Sequence, residues 1–90
     1  MLGTNGATVY NAATGIINVD GTGAKGIIGT NDASIINDGV INVNGTGAQG
    51  IYIERGATLT NTGQINVNGD GKIGVFIGMG SSFVNTAGIT

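Results

Sequence analysis

The sequence predicts an all-β chain folded as a parallel β-helix, a solenoid built from short strands. Three observations predict it. The stretch Gly39-Val-Ile-Asn-Val-Asn-Gly-Thr-Gly-Ala-Gln-Gly-Ile51 recurs at an offset of 24 residues, as Gly15–Ile27 before it and Gly63–Val75 after it. A fixed interval in this range marks stacked repeats, none of which closes a core alone. Within each copy apolar and polar residues alternate, as in Ile41-Asn42-Val43, and Gly and Asn separate the runs. Such alternation is that of strands with one buried face. Finally, no window keeps the apolar period of about 3.6 residues over helical length. The leucine-rich repeat is the rival at this interval, and the chain has only Leu2 and Leu59 to offer it.

Taken in order, Gly3–Asn11 reads as the end of a preceding coil. The stretch from Asn11 to Gly15 holds two more residues than Asn37-Asp-Gly39, so a looser corner is expected there. The middle copy divides into strands near Val40–Asn44, Gly50–Ile53 and Ala57–Asn61, which gives a three-sided coil. Turns fall at Asn44-Gly-Thr-Gly47, Glu54-Arg-Gly56 and Thr62-Gly63, where residues tolerant of left-handed backbone stand. The inward columns are Ile17/Ile41/Ile65, Val19/Val43/Val67, Ile27/Ile51/Val75 and Ile35/Leu59/Phe83, beside small Ala33/Ala57/Ser81. Coils then occupy about 12–35, 36–59 and 60–83, with incomplete coils at 1–11 and 84–90. The whole is one solenoid segment of about three and a half coils, rising about 4.8 Å each.

Composition narrows the function. The 90 residues are 40% hydrophobic and only 9% charged, which separates the chain from disordered sequences. Cys and His are absent, so disulfides, zinc–thiolate sites and Ser-His or Cys-His catalytic pairs are excluded. A net charge of −2 with three scattered basic residues argues against nucleic acid as a partner. The longest apolar runs, such as Ile51-Tyr-Ile53, last three residues, so no membrane insertion by this segment is expected. Met1-Leu-Gly-Thr does not read as a signal peptide, and the expectation is a segment of something longer.

The pattern G-x-I-N-V-x-G-x-G-x-x-G-[IV], followed by G-A-x-[IL]-x-N-x-G, resembles the passenger repeats of autotransporter (type V secreted) adhesins. The resemblance covers nearly the whole chain, from about Asn5 to Ile89. It implies a right-handed β-helix displayed outside the bacterial cell.

Several residues are weighed as sites. Asn66-Val-Asn-Gly-Asp-Gly71 opens like a calcium loop, but Ile77 stands where the bidentate Glu belongs, and the other copies read as plain turns. Asn37/Asn61/Asn85 form a column whose amides are expected to hydrogen-bond along the stack, as Asn ladders do. The acids Asp20, Asp32, Asp38, Glu54 and Asp70 fall in five columns, whereas glycosidic cleavage needs two facing carboxylates. No catalytic residue, metal or cofactor is assigned. Ile28/Tyr52/Phe76 point outward as an apolar row, read either as a contact surface or as ordinary strand stacking. The expected function is therefore structural: a stalk or contact segment of a surface adhesin, meeting a surface ligand or another copy of itself. The alternatives are a fibre subunit stacking end to end and a carbohydrate- or ice-binding solenoid.

Overall fold

The computed structural model describes residues 1–69, 71–86 and 88–90. Its strands form three parallel sheets of four. Sheet A holds β1 (Leu2–Gly3), β4 (Lys25–Gly29), β7 (Gln49–Ile53) and β10 (Ile73–Ile77). Sheet B holds β2 (Thr8–Asn11), β5 (Ser34–Asn37), β8 (Thr58–Asn61) and β11 (Ser82–Asn85). Sheet C holds β3 (Ile16–Val19), β6 (Val40–Val43), β9 (Gln64–Val67) and β12 (Gly88–Ile89). The chain visits A, B and C in turn and climbs one rung per circuit. The fold is a parallel β-solenoid of about three turns with a spacing of about 24 residues.

Register follows the repeat. Ile17 pairs with Ile41 and Ile41 with Ile65, and Ile27 pairs with Ile51 and Ile51 with Val75. The first rung of sheets A and B is displaced by two residues, pairing Leu2 with Ile28 and Asn11 with Asn37. The two extra residues lie in the corner between β2 and β3, where the Gly15 N–H donates to the Ala12 carbonyl at 2.8 Å. An insertion at a corner leaves the strands in register and shifts only the numbering.

Alternation sends every second side chain inward, and stacked coils close the space between the sheets. Ile27, Ile35, Ile41, Ile51, Ile53, Leu59 and Ile65 are all at most 1% exposed. Full burial of side chains this large contributes about 1.5–3 kcal/mol each. The expected inward residues Val67, Val75 and Phe83 are only half-buried. Val75 and Phe83 belong to the outer strands β10 and β11, and Val67 lies on β9 beyond the two residues, Gln64 and Ile65, that β12 pairs with.

The corners show why these residue types recur. Between sheets A and B the turn spans Thr4–Ala7, Thr30–Ala33 and Glu54–Ala57, each closed by a bond from its last N–H to its first carbonyl. Both central residues have positive φ: Asn5 and Gly6, Asn31 and Asp32, Arg55 and Gly56. Two successive left-handed residues define the tight I′ turn that favours Asn-Gly. Asp32 and Arg55 are held there by the neighbouring coil, since Asp32 N–H donates to the Arg55 carbonyl and Arg55 N–H to the Met79 carbonyl. Glycine at 45 and 63 answers a different need. A Cβ at Gly63 would sit 2.1 Å from the Gly39 carbonyl oxygen, and one at Gly45 would sit 2.2 Å from that of Gly21. Backbone, not a movable side chain, blocks the space.

Candidate functional site

Among the described residues there is no pocket and no group of three His, Cys, Asp or Glu placed to hold a metal. The chemistry the solenoid presents is therefore that of its stacked columns. Inside, the Asn11 amide donates to Asn37 Oδ1 at 2.8 Å, Asn37 to Asn61 at 2.8 Å and Asn61 to Asn85 at 2.9 Å. Asn37 and Asn61 are fully buried, and Asn37 also donates to the Gln64 carbonyl at 3.5 Å. The amides sit where sheet B turns into sheet C, and those of Asn11 and Asn37 also satisfy the carbonyls of Val40 and Gln64 across that corner. Asn11 belongs to the same column. Its place is hidden from a strict 24-residue alignment, and the insertion after it is the signal that would have restored it.

On the outer face of sheet A the Ile28/Tyr52/Phe76 row continues to Leu2, its partner in the first rung. The Tyr52 and Phe76 rings lie parallel, 4.9 Å apart with planes at 5°. From the rung on the other side, Lys25 Nζ approaches the Tyr52 ring to 5.6 Å, a cation–π distance. Both faces of Tyr52 are thus engaged along the solenoid axis, and the row offers a partner its ring edges. The Tyr52 hydroxyl donates to Glu54 Oε2 at 3.0 Å, and that bond raises the phenol pKa. Tyr52 is half-buried while Phe76 is 40% exposed.

The acids are held by uncharged partners. Asp38 accepts from Thr62 and from the Tyr10 hydroxyl, the latter at 2.7 Å. These bonds, Thr62 first, lower the Asp38 pKa, and the bond to Asp38 raises that of Tyr10. Asp20 accepts from the Asn44 amide at 2.8 Å. Asp32 Oδ1 lies against Gly56, at the turn between sheets A and B. Asp70, and with it the calcium-loop reading of Asn66–Gly71, lies outside the described residues.

Sheet C carries two further polar columns; alternation anticipates the outward direction of Asn42, whereas Asn44 reads in the sequence as a turn residue. Asn66 donates to Asn42 at 2.9 Å and Asn42 to Asn18 at 3.0 Å. Beside them Asn68 donates to Asn44 at 2.5 Å, and Asn44 donates to Asp20. Both run towards the first coil, opposite in sense to the buried ladder.

Residues 1–86 match the family model described as the BigA third pectate lyase-like domain. No curated protein and no solved structure matches the chain.

Proposed function

Because the chain belongs to the family of the BigA third pectate lyase-like domain, we propose that it is a non-catalytic segment of a bacterial surface adhesin passenger. It serves at the cell surface as stalk and contact surface. The observation behind this reading is that parallel pairing links every coil among the described residues, with a single two-residue shift in the first. Outward side chains on the paired strands line up in columns, so the segment's chemistry is that of extended faces and not of a cleft. The acids support the non-catalytic part. Hydrolysis of a glycosidic bond takes two carboxylates set on either side of it. Here Asp20, Asp38 and Glu54 engage the uncharged side chains of Asn44, Tyr10 and Tyr52.

The aromatic row on sheet A is the contact surface of this proposal. Exposed contiguous apolar groups mark interaction sites on otherwise polar proteins. Beads coated with the chain should adhere to epithelial cell layers, and replacing Tyr52 and Phe76 together by Thr should abolish that adhesion. Circular dichroism should be unchanged, since neither ring enters the core and Thr suits a strand. A lost β spectrum would return these residues to a structural role. Full adhesion by the folded variant would remove the row from the contact surface.

A further inference from the structure

We propose that the outer face of sheet C binds an extended, uncharged polysaccharide chain, a second surface beyond the contact row on sheet A. The two outer ladders place Asn18, Asn42 and Asn66 in one column and Asp20, Asn44 and Asn68 in the next. Within a column, neighbours are one rung apart, about 4.8 Å, and between columns about 6.6 Å separates residues two apart on a strand. The rung spacing is close to the rise per residue of an extended β-1,4-linked pyranose chain, so successive sugars would meet successive rungs.

A primary amide has two N–H donors and two acceptor lone pairs. Asn42 uses one N–H towards Asn18 and one lone pair for Asn66, and Asn44 does the same between Asp20 and Asn68. One donor and one acceptor on each remain for a ligand, and neighbouring hydroxyls of a sugar ask for that pairing. The ladder fixes the amides before any ligand arrives, which removes part of the ordering cost of binding. Alongside runs Ile16, 65% exposed, with half-buried Val40 and Gln64 next in the column. Ile16 and Val40 supply an apolar margin for the C–H faces of the rings. Gln64 also donates to Asn66 Oδ1 at 3.0 Å and so orders the margin against the ladder.

Charge and width choose among occupants. The centre of the face is uncharged, with Asp20 at one end and Lys72, whose Nζ lies over Gly69, beyond the other. An acidic glycan would find no cationic column to neutralise it. The amide strip is two columns wide, about 6.6 Å, and a linear oligosaccharide laid along the solenoid axis fits that width.

The test is calorimetric titration of the folded chain with cellohexaose, chitohexaose and oligogalacturonate. The neutral oligosaccharides should bind with a Kd of about 1 mM, and Asn42→Thr with Asn66→Thr should weaken them about tenfold or more. Asn18→Thr alone, at the exposed end of the ladder, should weaken them about threefold, and it keeps the test open should the double variant not fold. Tyr52→Thr with Phe76→Thr, on the other face, should leave neutral binding unchanged. Absence of neutral binding, a preference for oligogalacturonate, or equal loss in the sheet A variant would overturn the inference. So would thermal hysteresis without glycan binding, which would mark the face as an ice plane. Coated beads that still adhere to cells while no neutral oligosaccharide binds would sink this inference and leave the adhesin reading standing. Oligosaccharide binding by beads that do not adhere would do the reverse.

Discussion

Replacing Ile41 by Asp is expected to lower stability by at least about 4 kcal/mol, leaving little folded chain at room temperature. Ile41 is fully buried, with Ile17 on one side and Ile65 on the other in the same column. The change removes one large apolar burial, about 1.5–3 kcal/mol, and adds the cost of an unpaired carboxylate in a dry core. A domain of this size has about 5–10 kcal/mol to lose. The adjacent outward residue is the control. Asn42→Asp keeps the oxygens that accept from Asn66 and gives up only the donor to Asn18, so it should cost under about 1 kcal/mol. Urea midpoints of the two variants decide the matter. Similar losses would mean that the inward and outward faces of β6 are misassigned.

The second large effect is expected at Asn37. Replacement by Ala should cost about 2–4 kcal/mol, although the residue is polar and no aliphatic contact is at stake. The side chain is fully buried, accepts from Asn11 and donates to Asn61. Truncation strands a donor on one coil and an acceptor on the next, and each buried orphan costs about 1–3 kcal/mol. Exposed Asn44, also paired along a column, can exchange its partners for water, so Asn44→Ala should cost under about 1 kcal/mol. Thermal unfolding of both variants separates the cases. Equal small losses would show that the buried ladder is replaceable by solvent.

Much of the architecture is legible in particular residues. Ile17, Ile41 and Ile65 declare the interval, and the alternation around each declares its direction. The strands observed at Val40–Val43, Gln49–Ile53 and Thr58–Asn61 lie within a residue of those expected. The first coil was harder. Two extra residues before Gly15 displace Leu2, Tyr10 and Asn11 from a strict alignment, so their columns emerge only when strands are paired in space. The turns between sheets A and B were partly hidden for another reason. Asn5-Gly6 has the chemistry of two left-handed residues, whereas Asp32 and Arg55 take that backbone because the next coil's hydrogen bonds hold it. Local preference yields there to stacking. The outward row at Tyr52 and Phe76 was visible as a pattern of alternation, but its ring-to-ring geometry was not. The amide ladders of sheet C were hidden likewise, because alternation tells which way a side chain points and not what it bonds.

Every face described above depends on coils stacking at the repeat interval, and one cross-linking measurement tests it. The chain has no native Cys. A bis-alkylating bimane becomes fluorescent when both its arms react with thiols a few ångströms apart. Asn42→Cys with Asn66→Cys places two thiols on partnered residues of β6 and β9, about one rung apart. Asn42→Cys with Thr60→Cys places them on different sheets, C and B. The first pair should become fluorescent in the folded chain and lose the signal in urea, while the second stays dark in both. Bridging of the second pair in preference to the first would contradict the register and every column built on it.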